Sequence, residues 1–167
     1  MNPNSRQQRC ARACMTLALT LWLAVALALG GPAQPAFGQS LQTIAVTIID
    51  SPAPEVVRVQ LRGGQQDKVH LAGIEIPPCA AWSAASRISA LTDRRWGYLE
   101  LSSQQRNSNG YLVGYILFDT SVLNVELVRS GVARPSGAIS RYDFELSSAR
   151  TTASTRRIGE WDTGCLR

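Results

Sequence analysis

The sequence predicts a five-stranded β-barrel of the OB type with three added helices. Five short segments combine β-branched residues with alternating apolar positions, which is typical of strands in a small barrel. Segments with helical spacing follow only the third and the fifth of these strands. A three-stranded meander, an inserted helix, two more strands and two closing helices together predict one α+β barrel domain.

The first three strands are expected to form an antiparallel meander. Residues 43–49 are rich in β-branched side chains, and residues 55–61 alternate between apolar and polar positions. Two prolines within residues 50–54 predict a turn between these strands. Paired glycines then predict a hairpin that leads into a third strand over residues 66–74.

The remaining elements are two strands and three helices. A pair of prolines ends the third strand, and a polar segment separates the fourth strand from the fifth. The middle helix is expected to end at Gly131, because glycine supplies the left-handed C-cap that helices commonly need. The strands are expected over residues 96–101 and 110–118, and the helices over residues 80–91, 122–130 and 141–157.

Residues 1–38 have the composition of a secretory signal peptide. A basic N-terminal region with three arginines precedes an apolar run over residues 15–29. Small residues then precede an expected cleavage position after Gly38. This run is shorter than the roughly 20 residues that span a bilayer. We expect cleavage and export to the periplasm or the medium, without membrane contact afterwards; the alternative is an uncleaved anchor. The folded domain would then comprise residues 39–167.

The charge of the chain gives little indication of a partner. The formal net charge is +5, but three of the basic residues lie in the N-terminal segment, which leaves the domain only slightly basic. Nucleic-acid surfaces come from clustered basic residues rather than from a modest total. The composition names no partner, and it leaves the oligomeric state open.

Two cysteines remain in the expected domain, Cys79 and Cys165. In an exported protein such a pair is usually a disulfide, and two cysteines allow only one intramolecular pairing. The alternative, a redox or metal site, would need more ligands than two distant thiols and the one histidine of the chain. We expect a structural disulfide between the turn after the third strand and the C-terminus.

Three blocks of the sequence resemble the staphylococcal-nuclease (thermonuclease) family. Residues 69–79, VHLAGIEIPPC, resemble its signature V-R-L-x-G-I-D-x-P-E. Residues 107–116 and 123–133 resemble its D-x-Y-G-R-x-x-A-x-V and V-N-x-x-L-V-x-x-G-x-A, and residues 153–161 resemble its closing A-x-x-x-x-x-G-x-W. The resemblance implies an OB fold. It also implies phosphodiester hydrolysis with calcium, two arginines and a glutamate base.

The positions that carry this chemistry in the family are degenerate here. His70 and Tyr111 stand where the resemblance implies the two arginines, and Pro78 stands at the general base. Glu75 alone keeps an acid at a position implied to bind calcium. Histidine lacks the guanidinium fork, and proline has no titratable group. We therefore expect no catalytic residues, no bound metal and no cofactor, with Ca²⁺ needed only if nuclease activity survives.

Three functions follow as hypotheses. The leading one is an exported, catalytically inactive module that binds an unidentified protein or ligand. The first alternative is a secreted nuclease with a site rebuilt from His70, Glu75 and Tyr111, in which Asp50 or Glu55 would supply a replacement ligand. The second alternative is a non-catalytic binder of single-stranded nucleic acid.

Four aromatic residues bear on the second alternative, because bases stack on exposed rings. In a small barrel, aromatic side chains more often belong to the core or dock a helix, and we expect a core position for each of the four. They are Trp82, Trp96, Trp161 and Tyr115.

Overall fold

A computed structural model of the chain describes residues 43–93 and 95–166. The signal peptide expected over residues 1–38 lies outside the described residues. Within the described ranges, no helix has the length and apolar character needed to cross a bilayer.

Five long strands form a closed barrel. The strands are β1 (Thr43–Ala53), β2 (Val56–Leu61), β3 (Gln66–Leu71), β4 (Ile74–Glu75), β5 (Trp96–Arg106), β6 (Leu112–Phe118), β7 (Ser121–Val122) and β8 (Arg134–Pro135). The five long strands are antiparallel to their neighbours in the order β3-β2-β1-β5-β6, and a parallel pairing of β3 with β6 closes the sheet. Two very short strands, β4 and β8, pair as a separate antiparallel ribbon.

Helices cover the barrel after β4 and after β7. A single 3-10 turn, Pro78–Ala80, leads into the first of them. The helices are α1 (Ala81–Thr92), α2 (Leu123–Arg129), α3 (Asp143–Thr155) and α4 (Glu160–Thr163). The predicted OB-type barrel with added helices is therefore confirmed, with α4 as a short further turn of helix.

Two strands are longer than the sequence predicts. β1 continues through residues 50–53, where a turn is expected, and its register with β2 shifts twice on the way, between Ile48 and Asp50 and again between Asp50 and Ala53. β5 continues to Arg106 through a segment expected to be a loop, and pairs again with Leu112 after a register shift. Both extensions are mostly exposed and carry no buried apolar side chain, so they lack the apolar alternation that marks a strand in sequence.

Apolar side chains of alternate positions fill the barrel. Val57, Val59, Val69 and Leu71 are completely buried along β2 and β3, while the residues between them are partly or fully exposed. This is the period of two that a half-buried strand requires. The core continues into α2, where Leu123, Leu127 and Val128 are also completely buried.

The end of α2 follows the prediction for Gly131. The Gly131 N–H donates to the Val128 carbonyl, and the Val132 N–H donates to the Leu127 carbonyl, which is the Schellman pattern. Gly131 has a φ of 69°, and a Cβ there would collide with the Ile158 carbonyl oxygen. The position therefore requires glycine for both conformation and space.

The predicted disulfide is present between Cys79 and Cys165, whose Cα atoms lie 6.1 Å apart. That separation is within the usual range for a disulfide. The bond joins the 3-10 turn before α1 to the C-terminal end of the described chain.

A buried carboxylate ties the segment before α3 to the barrel. Glu100 on β5 is 4% exposed, and its Oε2 accepts hydrogen bonds from Arg141 Nη1 at 3.0 Å and from the Tyr142 hydroxyl at 3.1 Å. The ring of Tyr142 lies 4.6 Å from the ring of Tyr115, centroid to centroid. A buried carboxylate is stable in this position only because Arg141 and Tyr142 both donate hydrogen bonds to it.

This cluster predicts a loss of stability at alkaline pH. Burial, followed by the charge of Glu100, raises the pKa of Tyr142 from 10.0 to about 12. A tyrosine with a raised pKa stabilises the fold fully below pH 10, and that contribution disappears as the pH rises towards 12. Unfolding in urea at several alkaline pH values should show a steeper loss for the native chain than for Tyr142→Phe. The exposed Tyr98→Phe is the matched control, and equal slopes for all three proteins would contradict the prediction.

Candidate functional site

The residues at the positions implied by the nuclease resemblance lie around the junction of β3, β4 and β6. His70 occupies the outer face of β3, since its neighbours Val69 and Leu71 point into the barrel. It pairs with Val56 of β2 on one side and with Val113 of β6 on the other. His70 is therefore a partly exposed side chain on the barrel wall.

Glu55, in the turn between β1 and β2, is the acidic neighbour of His70. Its Oε2 lies 3.9 Å from His70 Nε2, and its Oε1 accepts a hydrogen bond from the Ile76 N–H at 2.6 Å. The Glu55 carbonyl also accepts from the Leu71 N–H at 2.9 Å. The carboxylate thus holds the backbone just after β4 and faces the imidazole at the same time.

Glu75, expected in a rebuilt site with His70 and Tyr111, is paired with an arginine instead. Its two carboxylate oxygens accept hydrogen bonds from Arg134 Nη2 at 2.9 Å and Nε at 3.3 Å across the β4–β8 ribbon. These hydrogen bonds, and then the charge of Arg134, lower the pKa of Glu75. Glu75 is therefore an ionised carboxylate held in a two-bond pair with arginine.

Tyr111 lies just before β6, beyond Val113 on the same outer face as His70. The Lys68 ammonium lies 5.1 Å from the centroid of its ring, a cation–π contact between the starts of β3 and β6. The Tyr111 N–H donates to Asn107 Oδ1 at 3.0 Å, and so does the Asn109 N–H, also at 3.0 Å. Asn107, which replaces an acid of the family pattern, thus builds the turn before β6.

Pro78 belongs to a structural junction. It begins the 3-10 turn, where a missing N–H costs nothing, and the next residue is the disulfide-bonded Cys79. The position that the resemblance implies for a general base is therefore part of the connection between β4 and α1.

Two arginines of the barrel surface also have acidic partners. Arg58 donates two hydrogen bonds to the carboxylate of Asp50, and Arg106 Nη2 donates to Asp67 Oδ2 at 2.7 Å. Asp50, one of the two candidates for a replacement calcium ligand, is thus engaged within the β1–β2 hairpin. The charges of this surface are largely compensated by one another.

The arrangement brings together some of the predicted site residues and separates others. His70 and Tyr111 share one face of the barrel, whereas Glu75 is turned to Arg134 and Glu55 takes the place beside the histidine. Within residues 43–93 and 95–166, no three His, Cys, Asp or Glu side chains converge as metal ligands would. Neither the family models nor the curated proteins compared with this chain match it.

The expectation for the aromatic residues is right for two and wrong for two. Trp161 and Tyr115 are buried, as expected, but Trp82 on α1 is 83% exposed and Trp96 on β5 is 61% exposed. Trp96 also stands beside Tyr98, with ring centroids 5.6 Å apart and ring planes at 77°. A signal for this was present in the sequence: Trp96 and Tyr98 alternate with the small or buried positions of the same strand.

Proposed function

We propose that this chain is an exported, non-catalytic member of the staphylococcal-nuclease-like family that acts as a binding module. The observation that carries the proposal is the two-bond pair between Glu75 and Arg134. The one acid kept at a calcium-binding position of the family pattern is committed to an arginine of the same chain. An acid held in this way must give up two charge-assisted hydrogen bonds before it serves a metal ion.

The surrounding groups support the same proposal. Phosphoryl transfer needs preorganised cations at the phosphate oxygens and a group that takes a proton from water. Arg58 and Arg106 are each paired with a carboxylate, and Lys68 lies over an aromatic ring. Pro78 supplies no base. Binding, rather than hydrolysis, is the function that these side chains support best.

One contact favours a second candidate, a nuclease with a rebuilt site. The imidazole of His70 and the carboxylate of Glu55 lie 3.9 Å apart, and a carboxylate beside a histidine is the usual arrangement of a general base and the group that orients it. Tyr111 on the neighbouring strand would be the acid. This candidate rests on Glu55 instead of the expected Glu75.

A cleavage assay separates the two candidates. We expect the mature chain to leave single-stranded DNA and RNA intact in the presence of Ca²⁺ over many hours, and His70→Ala and Glu55→Gln to behave identically. The exposed Glu145→Gln is the matched control for the loss of one carboxylate. Calcium-stimulated cleavage that falls 100-fold or more in His70→Ala, but not in Glu145→Gln, would replace the proposed function by the nuclease.

A further inference from the structure

A second surface feature, a shallow trough, lies on the outer face of β1, β2 and β5. It is lined mainly by apolar and uncharged side chains, unlike the charged junction of β3, β4 and β6. Small residues of the central strand β1 form its floor, exposed aromatic residues of β5 form one wall, and polar residues at the end of β2 form the other. We call it the aromatic trough, and it comprises the cavity-lining residues Ala45, Thr47, Gln60, Arg62 and Trp96, together with Tyr98, which stands beside Trp96 outside the lining.

The register of the three strands explains the trough. Thr47 of β1 is opposite Trp96 of β5 and opposite Gln60 of β2. Ala45 in turn is opposite Tyr98. Since directly opposed residues of antiparallel strands share a face, small side chains stand between large ones on both sides. The result is a cavity of about 320 Å³ lined by residues that include Thr47, Gln60 and Trp96.

The aromatic wall is available to a ligand. Trp96 is 61% exposed and lines the cavity, and Tyr98 stands almost perpendicular to it at 77°. This edge-to-face contact with Tyr98 restricts the Trp96 indole, so the indole is held without being covered by a helix or loop. A partly exposed, supported indole beside a cavity is a surface on which an apolar ligand face packs.

The opposite wall offers hydrogen bonds and one charge. Gln60 Nε2 donates to the Gly64 carbonyl at 3.3 Å, which orients the amide, and its Oε1 remains an acceptor. Arg62, just after β2, is exposed and forms no ion pair with any residue of the described ranges, unlike Arg58 within β2. Among the lining residues within 43–93 and 95–166 there is no carboxylate. The trough is therefore complementary to a ligand that carries a negative charge.

We infer that the aromatic trough binds an acidic sugar, that is, a pyranose ring with a carboxylate, within a glycan chain. The C–H face of the ring would pack on Trp96, and its hydroxyls would meet Gln60 and Thr47. The planar guanidinium of Arg62 pairs with a carboxylate through two parallel hydrogen bonds. A volume of about 320 Å³ is at the small end of ligand cavities, which suits one sugar ring with its linkages.

Single-stranded nucleic acid fits the same trough less well. Successive bases need stacking surfaces along the strand, and a polyanion needs several cations that track its backbone. Here the two rings are nearly perpendicular, and in the part of the chain that the structure describes, Arg62 is the one cation that lines the cavity. A ligand with one ring at the indole and one negative charge is the better match.

Calorimetric titration of the mature chain with oligogalacturonate tests the inference. The matched probes are the same oligosaccharide with its carboxylates methyl-esterified, and an oligothymidylate of equal length. We expect oligogalacturonate to bind, and the methyl ester and the oligothymidylate to bind about tenfold more weakly or not at all, because the ester loses the charge-assisted pair.

Variants assign the binding to the trough. Trp96→Ala and Arg62→Gln should each weaken oligogalacturonate binding about tenfold or more. Trp82→Ala and Arg87→Gln, which remove an exposed tryptophan and an exposed arginine from α1, should leave it unchanged. Circular dichroism checks that all four variants fold.

Several outcomes would overturn the inference: no binding of oligogalacturonate, equal binding of its methyl ester, tighter binding of oligothymidylate, or full binding by Trp96→Ala. The inference rests on the proposed function, since it names the ligand of a binding module. The two fail differently. Cleavage of nucleic acid removes the proposed function whatever the sugar does, whereas absent sugar binding without cleavage removes only the inference.

Discussion

Replacement of Asn124 by leucine should strongly destabilise the domain. Asn124 is fully buried at the start of α2, where its Nδ2 donates to the Ala72 carbonyl at 2.7 Å and to the Gly114 carbonyl at 3.3 Å. Its Oδ1 accepts from the Ile116 N–H at 3.3 Å. One side chain thus joins α2 to β6 and to the turn after β3.

Leucine has a similar size but makes none of these bonds. At least two buried backbone groups, the Ala72 carbonyl and the Ile116 N–H, would lose this partner, and each such loss costs about 1–3 kcal/mol. The free energy of unfolding in urea should therefore fall by about 2–6 kcal/mol.

An exposed asparagine gives the control for Asn124→Leu. Asn109→Leu lies in the turn before β6 and should change the unfolding free energy by no more than about 0.5 kcal/mol. A loss below about 1 kcal/mol in Asn124→Leu would show that leucine packing compensates for the missing hydrogen bonds, and the prediction would be wrong.

Removal of the disulfide should have the second large effect. The Cys79–Cys165 bond closes a loop with a sequence separation of 86, so it restricts the unfolded chain over most of the domain. Such crosslinks stabilise by about 2–4 kcal/mol in the chain-entropy account. The double variant Cys79→Ser/Cys165→Ser should unfold at a correspondingly lower urea concentration than the oxidised native chain.

Reduction supplies an independent check on the disulfide. The native chain treated with a reductant should match the double serine variant, and the reductant should not change the variant itself. The same unfolding midpoint for the oxidised and the reduced native chain would mean that the bond adds no stability. It would then contradict the structural role assigned to these cysteines.

The sequence predicts the barrel because its signals are local. Alternation along β2 and β3 reflects a pleated strand with one buried face, and Gly131 marks the end of α2 through a conformation that other residues avoid. The disulfide is predictable for a different reason: the two cysteines that follow the N-terminal segment have one possible partner each.

The candidate site is less predictable, because its partners are distant in sequence. Arg134 reaches Glu75 only since β8 pairs with β4, and Glu55 meets His70 only since the β1–β2 turn folds over the end of β3. Neither pairing leaves a periodic pattern. The same holds for the aromatic trough, where the register of three strands places small residues beside Trp96.

The amino-acid sequence by itself determined where the five main strands and three main helices lie, though not how far β1 and β5 extend, and also where α2 ends and which cysteines are joined. The elements and the end of α2 depend on the conformational preferences of a few neighbouring residues. The disulfide follows from the number of cysteines in the expected domain. Tertiary structure decided which charges neutralise each other and which aromatic rings remain exposed. Those outcomes depend on strand register and barrel closure, which bring residues together across separations such as the 59 positions between Glu75 and Arg134.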